Sequence, residues 1–223
     1  NNWIDQRAGR ADKTIYCAED ERVAGTSSTV YRVSPEHLRA TTLGERLKSA
    51  NPASRTVTIA GKDRAAVMMT GRGADQRWYW DGKAWATDLV GRPTPRAIVA
   101  LNRVFAAQLA APQPALVPPK LCAAKARSYA MTPTLAVGSG TLARAAGDAR
   151  FVRASPQFDG AVLAGAAALT NELRLGRGKA TDVLAVGLSA TDYVGHAYGS
   201  GGQEMCLQML ALDRELGDFL ARL

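Results

Sequence analysis

The sequence predicts an α/β fold: a doubly wound sheet flanked by helices, with an inserted cap region. Three observations lead to this prediction. The short apolar run at residues 182–188, bounded by polar residues, is typical of a buried parallel strand. A helical segment at residues 155–175 precedes it, and helix followed by strand is the order of a doubly wound sheet. Between residues 93 and 153 the composition changes, which indicates an insertion.

Length and composition place the chain among ordinary globular proteins. Its 223 residues are 47% apolar and 22% charged, enough for one sizeable core. No apolar run reaches the roughly 18 residues that a membrane span needs. The formal net charge of +8 favours anions, but lysines and arginines are scattered singly and no basic tail is present. We therefore expect anionic small-molecule substrates and no nucleic-acid partner.

Three cysteines, Cys17, Cys122 and Cys206, lack the paired spacing of a metal knuckle. One disulfide within the chain and pairing to a cysteine outside it both remain open. The chain opens without methionine, and residues 203–223 are predicted to form a helix. We therefore expect an internal piece of a longer protein.

The first third of the chain contains short predicted elements. Residues 14–16 and 29–31 favour strands, and residues 34–50 favour a helix with Ser34 as its N-cap. His37 would lie in the first turn of that helix, outside any motif. It is predicted to be an ordinary exposed histidine rather than a metal ligand.

A basic pair follows the next strand. Residues 55–60 alternate as a strand and deliver Lys62 and Arg64 at its carboxyl end, and residues 65–69 are predicted to form a further strand. On an extended chain the two cations point to one side, about 7 Å apart. Such a pair suits a tetrahedral dianion, with the guanidinium binding two oxygens. A bare Lys-x-Arg is otherwise a surface pair near a turn.

Residues 77–80 and 83–85 flank Asp81-Gly82, a type I′ turn signal, and predict a β-hairpin. Its aromatic side chains are expected in the core, with a shelf for a substrate leaving group as the alternative. An amphipathic helix follows at residues 96–110, and the proline-rich residues 111–119 end it.

The final helix is predicted from an apolar stripe, Met205, Met209, Leu212, Leu216 and Leu220. On this interpretation, Glu204, Asp213 and Glu215 belong to the solvated face of the helix.

The loop predicted at residues 189–199 carries Asp192 and His196 directly after the 182–188 strand. Ligand crevices in α/β sheets lie beyond the carboxyl ends of the strands. An oxygen and a nitrogen ligand four residues apart suit zinc, although Asp-x-x-x-His alone is frequent by chance. The surrounding residues strengthen the pattern, namely Thr191, Tyr193, Gly195 and Gly199.

That loop resembles the metal-binding loop of the alkaline phosphatase superfamily, in the branch shared by bacterial phosphate-monoester phosphatases and nucleotide pyrophosphatase/phosphodiesterases. The tetrad Gly61-Lys62-Asp63-Arg64 and the spacing of Asn1, Trp3 and Asp5 also match that branch. The resemblance implies an alkaline-phosphatase-like sheet. Residues 1–92 would be part of the catalytic core, 93–153 the inserted cap region, and 154–223 the continued core.

The resemblance also implies roles for individual residues. Asp192 and His196 would bind one of two Zn²⁺ ions in the complete active site. Lys62, Arg64 and Asn1 would bind the phosphate and act as catalytic groups. Asn1 is otherwise a turn asparagine, and Asn2 takes its place if the register is shifted by one. The nucleophilic threonine and the remaining zinc ligands are expected outside this chain.

The implied activity is zinc-dependent hydrolysis of phosphate monoesters through a phospho-threonine intermediate. The Lys62/Arg64 pair favours monoesters, because diesterase members of the family lack it. The alternatives are a nucleotide pyrophosphatase/phosphodiesterase on the same fold and a non-catalytic binding domain. We expect the piece alone to be inactive, and the whole protein to be a periplasmic or secreted monomer.

Overall fold

The computed structural model describes residues 2–223. The described chain forms two compact units. Unit 1 contains residues 2–81, 85–93 and 173–187, and unit 2 contains residues 82–84, 94–172 and 188–223. The domain boundaries predicted above stay a prediction.

The helices and strands are, in chain order, β1 (Asn2–Ile4), β2 (Thr14–Tyr16), α1 (Leu43–Ala50), β3 (Thr56–Ala60), α2 (Asp63–Thr70), β4 (Gln76–Trp80), β5 (Trp85–Ala86), α3 (Arg96–Ala110), α4 (Lys120–Ala123), β6 (Tyr129–Thr132), β7 (Leu135–Val137), α5 (Pro156–Leu173), β8 (Val183–Gly187), α6 (Ala190–Tyr198) and α7 (Gln203–Leu220).

Unit 1 is built on a four-stranded sheet in the order β5-β4-β3-β8. The central strand β3 is parallel to both β4 and β8, and Val57 and Ile59 on it are buried, as expected of β-branched residues in a parallel strand. Ala60 pairs with Gly187, and the Gly61 N–H donates to the Gly187 carbonyl at 2.9 Å. The strands predicted at residues 55–60 and 182–188 are confirmed, and their carboxyl ends lie side by side.

The opposite ends of these two strands are joined by an ion pair. Arg55 Nη2 lies 2.6 Å from Asp182 Oδ2, and the Arg55 guanidinium also donates to the backbone carbonyls of Leu173 and Arg174. Hydrogen bonds from Arg55 lower the pKa of Asp182 to about 2. The pair fixes the register of β3 against β8 from the amino-terminal side of the sheet.

The predicted hairpin is confirmed. Strands β4 and β5 are antiparallel, Trp80 lies opposite Trp85, and Gly82 in the turn has a φ of 103°, which favours glycine. Both tryptophans are buried, with ring centroids 5.7 Å apart. Core packing, the role expected for these aromatics, is what the structure shows.

Three predicted elements of unit 1 are wrong. Residues 29–31 form no strand, and the helix predicted from residue 34 begins only at Leu43, in α1. Thr42 and Glu45 form a capping box there, a signal that outweighs Ser34. Residues 65–69 lie in helix α2 instead of a strand, because this short run of alanine and methionine suits a helix and continues from an acidic first turn.

Unit 2 is mainly helical. The helices predicted at residues 96–110 and 155–175 are confirmed as α3 and α5. A disulfide joins Cys122 in α4 to Cys206 in α7, which decides the pairing that the sequence left open, and Cys17 is a free thiol. Around the disulfide packs a hydrophobic core that includes Leu142, Ala154, Val194, Tyr198 and Leu207.

Helix α7 buries a different face from the one predicted. Glu204 and Gln208 are fully buried, whereas Met209 and Leu220 of the apolar stripe are exposed. Glu204 accepts hydrogen bonds from the backbone N–H groups of Ser139 and Gly140 at 2.6 and 2.8 Å. These bonds offset the cost of burial, and the pKa of Glu204 is lowered.

Among the described residues, no helix combines the length and the apolar character required to cross a membrane.

Candidate active site

Lys62 and Arg64 lie at the amino-terminal end of helix α2. Lys62 is the N-cap, with an extended backbone at φ −135° and ψ 136°, and Arg64 is the second residue of the helix. The sequence predicted both residues on one extended chain, and this is wrong for Arg64. The dipole at a helix N-terminus favours negative charge, and at this helix start the Arg64 N–H is already bonded to Asp63.

Asp63, between the two cations, is held by two tyrosines. The Tyr16 hydroxyl donates to Asp63 Oδ1 at 2.6 Å, and the Tyr31 hydroxyl donates to Oδ2 at 2.7 Å. The Arg64 N–H donates to Oδ1 at 2.6 Å. Burial and the bond to Asp63 raise the pKa of both tyrosines, so the hydroxyls remain protonated donors. Sequence reasoning missed this cluster, since the partners lie 47 and 32 residues from Asp63.

Asn1 lies outside the described residues, and its predicted role stays a prediction. Its neighbour Asn2 lies in β1, opposite Tyr16 in β2. Strand pairing therefore brings the start of the described chain beside one of the two tyrosines that hold Asp63.

Asp192 and His196 lie on helix α6, where the sequence predicted a loop. The apolar residues Ala190, Val194 and Tyr198 recur at every fourth position and form the buried face of the helix. That spacing is the sequence signal that predicts α6 correctly. It was missed because the glycines and polar residues around it are typical of a loop.

The predicted ligand pair is brought together on the exposed face of α6. Asp192 Oδ1 lies 3.4 Å from His196 Nε2, and the side chains are 52% and 80% exposed. Two ligand atoms on one tetrahedral zinc are separated by roughly 3.4 Å, given metal–ligand distances of roughly 2.0–2.2 Å. The donor set and its spacing therefore fit zinc. No group of three or more potential ligands occurs within residues 2–223, so Asp192 and His196 would need further ligands to hold a metal ion.

The amino-terminal end of α6 is fixed by a buried carboxylate on α5. Asp159 Oδ1 accepts the N–H groups of Ser189 and Ala190 at 2.8 and 2.9 Å. Gln208 of α7 donates to Asp159 Oδ2 at 3.4 Å, and Asp159 is fully buried. Asp159 satisfies two N–H groups that the helix cannot satisfy itself, and its charge complements the helix dipole.

His37 is more enclosed than the sequence predicted. Its Nε2 lies 2.8 Å from Glu21 Oε2, its side chain is 19% exposed, and its ring meets Trp3 edge to face. These contacts give His37 a structural role, and the prediction of an ordinary exposed histidine is wrong.

The described protein is thus an α/β protein with Lys62 and Arg64 at the start of α2, and with an aspartate–histidine pair on the exposed face of α6. No protein-family model matches the chain. Alkaline phosphatase PhoK of Sphingomonas sp is 47% identical over 224 residues, covering 100% of this chain and 40% of that protein.

The chain is also similar to solved structures of an alkaline phosphatase. The crystal structure of wild-type alkaline phosphatase PafA matches with a TM-score of 0.79 at 28% identity, covering 100% of this chain and 45% of that one. A PafA variant matches with a TM-score of 0.78 at 26% identity, covering 99% and 46%. In that variant a threonine is replaced by serine, and three residues are replaced by alanine: an asparagine, a lysine, and an arginine two positions after the lysine.

These comparisons confirm the resemblance to the alkaline phosphatase superfamily and the α/β fold that it implies. The chain spans about 40% of the length of PhoK.

Proposed function

We propose that this chain is part of a zinc-dependent alkaline phosphatase that hydrolyses phosphate monoesters. The observation that carries the proposal is the placement of Lys62 and Arg64 in the first residues of α2. A phosphate monoester has two negative charges to neutralise. An ammonium and a planar guanidinium at the positive end of a helix dipole suit its non-bridging oxygens.

The PafA variant supports the same assignment. Its substituted lysine and arginine have the spacing of Lys62 and Arg64, and its substituted asparagine is the residue type that we assign at Asn1. Its threonine is the residue type of the proposed nucleophile, which would be phosphorylated and then hydrolysed, and which we place outside this chain. Asn1 would donate its amide to a phosphate oxygen.

Asp192 and His196 would hold one zinc ion, together with ligands from outside this chain. Bound zinc in a two-metal site would stabilise the attacking and leaving oxygens of an in-line displacement. Lys62, Arg64 and Asn1 would meanwhile bind the remaining phosphate oxygens, where negative charge gathers in the transition state. Since this piece contains only part of the ligand set, we propose that it is inactive alone.

The second candidate is a nucleotide pyrophosphatase/phosphodiesterase on the same fold. A diester carries one negative charge, which leaves less for the second cation of the Lys62/Arg64 pair to neutralise. That pair therefore favours the monoesterase, and the aspartate–histidine pair on α6 argues against a binding domain without chemistry.

The test uses the complete protein and compares kcat/KM for an aryl phosphate monoester with that for its diester. Lys62→Ala and Arg64→Ala should each lower monoester turnover by roughly 100-fold, the scale for losing one group that stabilises transition-state charge, and diester turnover by much less. Chelation should abolish activity, and added Zn²⁺ should restore it. Equal losses on both esters would refute the monoester assignment, and activity indifferent to chelation would refute the zinc mechanism.

We also propose a periplasmic or secreted location for the protein, as a monomer. The disulfide between Cys122 and Cys206 supports an oxidising compartment, because such bonds are rare in the reducing cytosol.

A further inference from the structure

Asp63 has a more elaborate set of partners than a carboxylate in a first helical turn requires. Both oxygens accept a tyrosine hydroxyl, from Tyr16 and Tyr31, and Oδ1 also accepts the Arg64 N–H. The two tyrosine rings contact each other, with centroids 4.7 Å apart. Hydroxyl–carboxylate bonds at these distances are charge-assisted and hold the carboxylate in one orientation.

The same cluster reaches the Arg64 side chain. Burial and the Asp63 bond raise the pKa of Tyr16, and a hydrogen bond with the Arg64 side chain opposes them. The Tyr16 hydroxyl is therefore close to both the carboxylate of Asp63 and the guanidinium of Arg64. The Tyr16 hydroxyl on β2 thus links Asp63, the first residue of α2, to the side chain of Arg64.

The three donors that the described residues supply to Asp63 are neutral, and this matters beside the proposed anion site. A carboxylate next to two cations competes with a phosphate for those cations. Neutral donors hold the carboxylate in place without adding a further charge. Asp63 also offsets one unit of the positive charge of Lys62 and Arg64. The cluster therefore sets both the geometry and the net charge at the start of α2.

We propose that Asp63, clamped by Tyr16 and Tyr31, is a positioning residue that holds Arg64 in place for a phosphate dianion. The inference rests on the proposed function for its substrate class. It assigns roles to three residues that do not themselves touch the phosphate in this account.

The experiment is a double-mutant cycle in the complete protein. Asp63→Asn, Tyr16→Phe and Tyr31→Phe are each made in the native background and in Arg64→Ala. Each is measured for kcat/KM on an aryl phosphate monoester and for the affinity of inorganic phosphate by calorimetry. Tyr79→Phe is the matched control, since Tyr79 is a buried tyrosine of the same unit with its hydroxyl outside the Asp63 bonds.

In the native background, Asp63→Asn should lower monoester kcat/KM and phosphate affinity by roughly 10- to 100-fold, the range for hydrogen bonds to charged groups, because the loss of Arg64 orientation outweighs the removal of a competing negative charge. In the Arg64→Ala background the loss should shrink to within roughly threefold, because the group being positioned is gone. The Tyr79→Phe control should change neither quantity.

Equal losses in both backgrounds would overturn the inference, because Asp63 would then act independently of Arg64. If Asp63→Asn fails to fold, as judged by its thermal midpoint, the single hydroxyl deletion in Tyr31→Phe decides the matter by the same cycle. A native protein without monoesterase activity would refute the proposed function, and the cycle on phosphate affinity would still decide the inference.

Discussion

The starts of helices α2 and α6 are both held by a carboxylate, but the carboxylate has a different origin and different partners in each. Each helix follows a parallel strand of the sheet, and each has a carboxylate at its amino-terminal end. At α2 the carboxylate belongs to the helix itself, and the tyrosine hydroxyls reach it from residues 16 and 31. At α6 the carboxylate is Asp159, which comes from α5 and accepts backbone N–H groups.

The difference shows what each helix must present. Helix α2 begins beside Lys62 and Arg64, and its anchor uses neutral donors on the partly exposed carboxylate of Asp63. Helix α6 presents Asp192 and His196 on an exposed face, so its stability comes from the opposite face and from a fully buried anchor. We therefore expect substitutions at the α6 anchor to affect folding first, and those at the α2 anchor to affect substrate binding first.

The largest effect should come from removing the disulfide. The bond between Cys122 and Cys206 closes a loop with a sequence separation of 84. Its loss in Cys122→Ser/Cys206→Ser should lower the free energy of unfolding of unit 2 by about 4 kcal/mol. Hydrogen exchange in the complete protein should then rise at α6 and α7 and stay unchanged at α2. Equal acceleration at α2 would remove the distinction between the two helix starts.

The next effect should come from Asp159→Ala. It leaves the buried N–H groups of Ser189 and Ala190 without their acceptor, which should cost on the order of 3 kcal/mol in the free energy of unfolding. Glu172 is a matched control, because it accepts the N–H groups of Arg96 and Ala97 at the start of α3 in an exposed position.

Glu172→Ala should cost only about 1 kcal/mol, as for an exposed helix cap. Urea denaturation of both variants measures the two values. A loss at Asp159 no larger than that at Glu172 would mean that burial adds nothing to the α6 anchor.

A further effect is a pH dependence at Glu215 on α7. Burial first, and then the charges of Asp159 and Asp218 against that of Arg214, raise the pKa of Glu215 to about 7 from an ordinary 4.5. The folded state therefore retains a proton that the unfolded state releases, and the stability of unit 2 should fall as the pH rises from about 4.5 to about 7.

Glu215→Gln should flatten that part of the stability curve, measured by urea denaturation between pH 4 and 8. Glu172→Gln, an exposed change of the same chemistry, should leave the curve unchanged. A slope that survives in Glu215→Gln would assign the pH dependence to another group.

The sequence predicted the sheet strands and the longest helices because their patterns are local. Residues 55–60 and 182–188 are apolar and β-branched, and residues 96–110 repeat with helical spacing between proline signals. Lys62, Arg64, Asp192 and His196 stand in recognisable strings, which is why the sequence singles them out, and their roles stay a prediction. Their helical placement was missed for two different reasons. Helix α6 has a local signal in Ala190, Val194 and Tyr198, which the surrounding glycines obscured, whereas the start of α2 is held by residues 32 and 47 positions away.

Helix α7 shows the same limit from the other side. Its methionines and leucines predict a buried stripe, but the described structure buries Glu204 and Gln208 instead. A buried glutamate is favourable only where N–H groups wait for it, here those of Ser139 and Gly140. No pattern within the helix itself predicts hydrogen-bond partners that lie more than 60 residues earlier in the chain.

Strand β8 has a practical consequence for handling this polypeptide. Within the described residues it pairs with β3 alone, so its other side carries backbone donors and acceptors along a run of valine and leucine. Such an edge can pair with a further strand, including a strand of another copy of this chain. Preparations of this segment should therefore self-associate as concentration rises. The substitution Leu184→Lys, in the middle of the run, should reduce this self-association.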